Sequence, residues 1–253
     1  AAVATVIGQF ASFGMGILFN RFKNPEIKLQ LRGFRPSGAI IGKIYSVGVP
    51  SIIMASISSV MTFGMNKILI AFSSTAAAVF GVYFKLQSFV FMPVFGMNNG
   101  IVPIISYNYG AKKKKRILGT IKLAVLFAVC IMAAGTILFQ CFPRQLLSLF
   151  SASEHMMSMG VPALRIISIH FIIAAYGIVI SSVFQALGDG MPSLIMSVSR
   201  QLVVLLPAAW LLSLTGEVNN IWWAFLIAEF VSAALCTIFF IRDYNRKLKH
   251  LGE

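Results

Sequence analysis

The chain has 253 residues, of which 58% are hydrophobic and 11% charged, against roughly 25% charged in an ordinary soluble domain. So little polar surface cannot cover a water-soluble globule of this length, while long uncharged apolar runs recur as bilayer spans require. The formal net charge of +14 would suggest nucleic acid in a soluble protein, but the basic residues gather at the ends of apolar runs and no aromatic residues interleave with them for base stacking.

A helical span needs about 20 apolar residues, and seven runs meet that length. The first, residues 1–19, starts as an apolar segment with no basic stretch before it, which argues against a signal peptide. The missing initial Met points either to processing or to a longer parent protein. A basic loop, residues 20–43, follows with Arg21, Lys23, Lys28, Arg32, Arg35 and Lys43. The second run is 44–71, the uncharged loop 72–78 is "FSSTAAA", and the third run is 79–105. Loop 106–117 carries the cluster "KKKKR". The fourth run is 118–141; the loop after it, 142–160, holds only Arg144, Glu154 and His155. The fifth run, 161–184, and the sixth, 192–213, are joined by a loop with Asp189 alone. Glu217 precedes the seventh, 220–241, and the tail 242–253 carries Arg242, Arg246, Lys247 and Lys249.

Basic-rich and basic-poor loops alternate, except for the neutral 185–191 loop, and Lys and Arg mark cytoplasmic loops. The expected topology has the first residue outside and the tail inside, with the lysine cluster held at the lipid headgroups. Barrel strands would alternate apolar and polar residues over about 10 positions. Nothing here does, so the spans are expected to be helices that satisfy their own backbone in hydrocarbon.

Ionisable residues inside spans are costly and point to function. Glu229 stands near the middle of the seventh run, the carboxylate placed well inside the bilayer, with Lys85 and Arg200 as deep cations able to pair with it. For each there is a second reading: Glu229 as a paired packing residue, and Lys85, Arg200 and Lys67 as side chains snorkelling to the interface. Asn66, Gln87, Asn98, Asn99, His170, Gln185 and Gln201 are candidate polar pathway residues, or interhelical hydrogen-bonding groups. Pro50, Pro93, Pro103 and Pro207 interrupt spans, and bent helices line cavities in secondary transporters as well as occurring in plain bundles. Cys130, Cys141 and Cys236 lack any CxxC spacing and read as small apolar residues. There is no GxxxxGK[ST], HExxH or GxSxG motif and no paired carboxylate, which favours transport over catalysis.

Three segments, "GVPSIIMASISSVMTFGMNKIL", "FVFMPVFGMNNGIVPIISYNYGAKKKKRI" and "VFQALGDGMPSLIMSVSRQLVVLLPAAWLL", resemble the second half of a MATE-family multidrug efflux transporter, within it the bacterial MepA-like group. "AAVATVIGQF" resembles that family's sixth helix. The likeness covers essentially the whole chain in order. It implies an all-α polytopic membrane protein: residues 1–19 the last helix of a first lobe, 20–43 the inter-lobe linker, 44–241 a second six-helix lobe and 242–253 a cytoplasmic tail. The implied function is export of organic cations in exchange for H⁺ or Na⁺ at the bacterial inner membrane. Partners would be the bilayer, amphipathic cationic substrates and the missing N-terminal lobe, with no cofactor.

Some members carry an acid eight positions after the GxP motif and another in helix ten; the matching places here are Ser58 and the neighbourhood of Ala174, without an acid. Coupling would then rest mainly on the absent first lobe, or on Glu229. Candidate pathway residues are Glu229, Lys85, Arg200, Asn66, Gln87, Tyr176, Phe84 and Met61, with Met54 and Phe89 as further apolar candidates. A lipid-linked oligosaccharide flippase of the same superfamily, using Lys85 and Arg200 for a pyrophosphate, and a non-transporting scaffold are the alternatives.

Overall fold

The computed structural model describes residues 2–23, 37–249 and 251. Contacts divide the chain into two units, residues 1–47 and 48–253. In the first, α1 (Ala2–Lys23) is an apolar helix whose side chains are exposed along nearly all its length. Arg21 and Lys23 stand in its last turn, where cations complement the helix dipole. Most of the expected basic linker, residues 24–36, lies outside the described residues. The helix α2 (Gly38–Ile70) starts in the first unit and supplies its residues from Gly48 onward to the second.

The second unit continues with α3 (Ser74–Gly110), α4 (Lys114–Cys141), the short α5 (Pro143–Ser148), α6 (Glu154–Ser168), α7 (Phe171–Ala186), α8 (Gly190–Ser213) and α9 (Val218–Leu248). No strand occurs among the described residues. Five helices, α1, α3, α4, α8 and α9, are long and apolar enough to cross a membrane, or six if the bent α6–α7 pair counts as one span. The expected seven are not reached among the described residues. The missing one falls in α2, which is helical over 33 residues but has several side chains outside the described set.

Local chemistry sets the helix ends. Ser73 and Ser153 accept from the backbone N–H of Ala76 and Met156, at 3.0 and 3.2 Å, capping α3 and α6. Past α7 the chain reverses at Gly188, φ +76°, a left-handed conformation that costs a glycine nothing, and Asp189 N–H bonds back to Phe184 at 2.9 Å.

Packing follows a narrow stripe on α4: Ile117, Ile121, Ala124, Ala128, Met132, Gly135 and Phe139 are its buried residues, spaced three and four apart on one face. That face meets α3 and α7. Lipid is as apolar as leucine, so helices here associate through close packing of small residues rather than hydrophobic exclusion. At Gly135 the approach is so close that a Cβ would stand 2.3 Å from Cγ1 of Val90 on α3. Larger side chains fill the remaining interior, with Phe80, Tyr83, Phe139, Phe171, Phe184 and Trp222 fully buried.

The expected fifth span, residues 161–184, is two helices bent by 49° at Ile169–His170. A break in hydrocarbon frees backbone carbonyls that must find donors. Here α4 supplies them: Thr136 shares its hydroxyl between the Met132 carbonyl of its own helix at 2.9 Å and the Ser168 carbonyl at 3.1 Å, and Gln140 donates its amide to the Arg165 carbonyl at 2.8 Å. The His170 Nδ1 meets the Ile167 carbonyl. The bend is therefore held from outside the bent element, by polar side chains at the end of its neighbour.

Three connections meet at one end of this unit. Lys247, in α9, pairs with Asp189 at 3.5 Å and Asp243 at 3.9 Å. Lys114, from the lysine cluster, donates to the Lys249 carbonyl at 2.7 Å and lies 5.6 Å from the Tyr244 ring. The 106–117 loop, the 185–191 loop and the tail thus share one end, as alternation of the loops requires.

Candidate functional site

A chamber of about 590 Å³ opens among α2, α3, α7, α8 and α9. Its lining mixes aromatic and sulfur-bearing side chains, with Met61, Tyr83, Phe84, Phe91, Met196 and Phe225, and serines and amides, including Ser181, Ser182, Ser232, Gln87, Asn98 and Gln201.

Glu229 of α9 stands in this wall, 4% exposed. Its Oε2 takes a contact from Arg200 Nη1 at 3.4 Å. Gly177 of α7 faces the carboxylate, where an added Cβ would lie 3.6 Å from Oε1, an ordinary contact. Tyr83 and His170 lie within electrostatic range of both Glu229 and Arg200. The rings around the pair pack on one another: Tyr83 meets Phe225 edge-on at 5.8 Å, and His170 stacks on Phe225 at 5.9 Å.

Arg200 stands in an irregular stretch of backbone. Residues Ser199–Leu205 of α8 form a π-helical segment. Its i→i+5 bonds widen the turn, so successive side chains diverge less than in an α-helix, and such segments favour functional sites. Arg200 and Gln201, adjacent in sequence, both reach the chamber. Pro207, just beyond, has no N–H to give to a carbonyl four residues back, which disfavours regular α-helix there. Gln201 in turn accepts from the Ser58 hydroxyl at 3.3 Å, tying α2 to α8.

Of the residues expected from sequence, Glu229, Arg200, Gln87, Phe84 and Met61 line the chamber, as do Asn98, Asn99, His170, Gln185 and Gln201. Others point elsewhere. Lys85 is exposed and its ammonium lies 5.9 Å from the Phe150 ring, beyond the end of α5, so it is not a partner for Glu229. Asn66 lines a separate shallow recess with Ser58, Ser59, Thr62 and Phe63. Tyr176 turns its hydroxyl to Thr237 at 3.3 Å instead of to the chamber. Phe89 is 75% exposed, and the Met54 side chain lies outside the described residues. Missed by sequence reasoning were Tyr83, whose hydroxyl is buried without a partner, and the serines of the lining. The pair Ser181–Ser182 inside an apolar run was the available signal.

Fold and chamber together define a polytopic α-helical membrane protein with a polar, aromatic-walled cavity inside its bundle. The chain belongs to the MatE family, whose pattern matches residues 50–211. It is 27% identical over 245 residues to multidrug export protein MepA of Staphylococcus saprophyticus, covering 96% of this chain and 54% of the relative. It is 26% identical to MepA of Staphylococcus haemolyticus over 254 residues, covering 97% and 54%. The chain thus spans about half the length of the curated relatives it matches. Among solved structures, the outward-facing conformation of a multidrug resistance MATE family transporter of the MOP superfamily superposes with a TM-score of 0.87 at 23% identity, covering 98% of this chain and 56% of that one. An inward-facing conformation gives 0.80 at 24% identity, covering 92% and 55%.

Proposed function

We propose that this chain forms the second lobe, with the preceding helix, of a secondary active exporter of small amphipathic organic cations, driven by H⁺ or Na⁺. The observation that carries the reading is the chamber: a space of about 590 Å³ that joins aromatic and methionine surface to a buried carboxylate. Such walls suit flat, weakly polar molecules with delocalised positive charge. The relatives are multidrug export proteins, which agrees with it.

In this reading residues 1–19 end a first lobe, 20–43 link the lobes, 44–241 form the second lobe and 242–253 are a cytoplasmic tail. The exposed apolar side chains of α1 would face lipid or the partner lobe. The coupling ion is bound mainly in the first lobe, since Glu229 already has Arg200 as its counter-ion. The membrane is the bacterial inner membrane, and the basic loops place the tail inside. The flippase alternative loses support from the geometry: Lys85 lies outside the chamber and Arg200 is paired with a carboxylate, which leaves no cluster of free cations for a pyrophosphate among the described chamber residues.

The test is dye export. Full-length protein expressed in an efflux-deficient bacterium should lower ethidium accumulation, and purified protein in vesicles should move ethidium when an H⁺ or Na⁺ gradient is imposed. No movement under either gradient refutes the reading.

A further inference from the structure

Glu229 and Arg200 are held together loosely. Strong arginine–carboxylate pairs are bidentate at about 2.7–2.9 Å. Here one nitrogen approaches one oxygen at 3.4 Å, and that is the only partner of Glu229 among the described residues. The two groups also differ in access. The Glu229 side chain is 5% exposed and that of Arg200 31%.

This asymmetry decides which group moves. A buried carboxylate stripped of its counter-ion is strongly disfavoured, whereas a guanidinium on a long side chain at the chamber wall has water and polar groups to turn to. Glu229, as long as it is ionised, is therefore the fixed member that needs a cation beside it, and Arg200 the member free to leave. The surroundings fit a replacement cation without hydrogen-bond donors. Tyr83 and Phe225 present rings beside the carboxylate.

We infer that a compact lipophilic organic monocation takes the place of Arg200 on Glu229: the guanidinium turns into the chamber as the ligand enters and returns as it leaves. Arg200 is then a built-in competitor that sets affinity and drives release. An anion gains nothing from this exchange, since it would leave Glu229 uncompensated. The inference rests on the proposed function only in assuming that the chamber admits organic cations.

The experiment is tetraphenylphosphonium binding to the full-length protein in detergent, by isothermal titration. Apparent affinity is reduced by the fraction of time the binding group is occupied by its internal partner. If the pair is closed about nine-tenths of the time, Arg200→Gln tightens binding about tenfold. Glu229→Gln abolishes it, and the double variant behaves as Glu229→Gln. Should Arg200→Gln not fold without ligand, Arg200→Lys decides: a point charge in place of the fork gives an affinity above that of the unaltered protein. Unchanged or weaker binding in both Arg200 variants overturns the inference, as does full binding in Glu229→Gln. Failure of the transport reading is distinct. Ethidium export with unaltered affinity in the Arg200 variants sinks the exchange alone. Tighter binding without any gradient-driven transport sinks the transport reading alone.

Discussion

Replacing Gly135 by alanine tests the tightest glycine contact among the described residues. The new Cβ would stand 2.3 Å from Cγ1, 3.0 Å from Cγ2 and 3.2 Å from Cβ of Val90, where carbon atoms rest at about 3.5–4.0 Å. Turning Val90 about χ1 does not help, because its own Cβ is inside the contact distance and valine in a helix holds one rotamer. The α3–α4 seam must open by about 1 Å, losing part of its dispersion along the stripe. Overpacking of this kind costs about 1–3 kcal/mol, and the better helix propensity of alanine offsets about 1 kcal/mol of that. The expected net loss is about 0–2 kcal/mol, toward the upper end because all three close contacts fall on one stiff side chain. Gly160→Ala is the control: its new Cβ would meet Leu147 Cδ1 at 2.8 Å, the tip of a flexible side chain, and its net effect should be near zero. Thermal unfolding of the full-length protein in detergent, followed by tryptophan fluorescence, measures both. Gly135→Ala should lower the midpoint, Gly160→Ala should not, and adding Val90→Ala to Gly135→Ala should recover most of the loss. A Gly135→Ala protein as stable as the original, or one that Val90→Ala fails to relieve, refutes the argument.

Thr136→Val should cost about 0.6–1.7 kcal/mol, the range found for hydrogen bonds between membrane helices, because it removes the donor to the Ser168 carbonyl; Thr136→Ser should restore the midpoint, and a neutral valine would show that the bend needs no support from α4. Lys247→Ala should leave Asp243, 2% exposed, as a buried carboxylate without its cation, and should forfeit about 1 kcal/mol or less at the partly exposed pair with Asp189. That loss should shrink in molar salt, and an effect independent of salt would assign it to packing instead. For orientation, Cys141, exposed at the far end of α4 from Lys114, should react with an impermeant maleimide in intact cells, whereas a Lys113→Cys variant should react only in opened cells. The reverse pattern would invert the proposed topology.

The helices were legible because run length and the absence of alternation leave a chain in hydrocarbon no other backbone solution. Glu229 was legible as a carboxylate deep in an apolar run, and Arg200 as a cation at matching depth. Lys85 was not separable from Arg200, because depth along a span says nothing of rotation about it; only packing turns one into the chamber and the other toward Phe150. The break at His170 carries no proline, and its causes, Thr136 and Gln140, lie about 30 residues away in sequence. Tyr83 looked like any aromatic residue of a span, since an unpartnered hydroxyl is a property of its neighbours.

The π-helical stretch of α8 has a consequence for how this chain tolerates changes of length. Deleting one residue from a regular α-helix rotates everything downstream by about 100°, and every contact beyond the deletion is lost. Within Ser199–Leu205 a deletion would instead convert i→i+5 bonding to i→i+4 with the helix beyond it kept in phase. The span there carries one residue more than an α-helical ladder needs. A one-residue deletion at this point should leave a folded protein whose chamber has lost its guanidinium, a change of site without a change of fold.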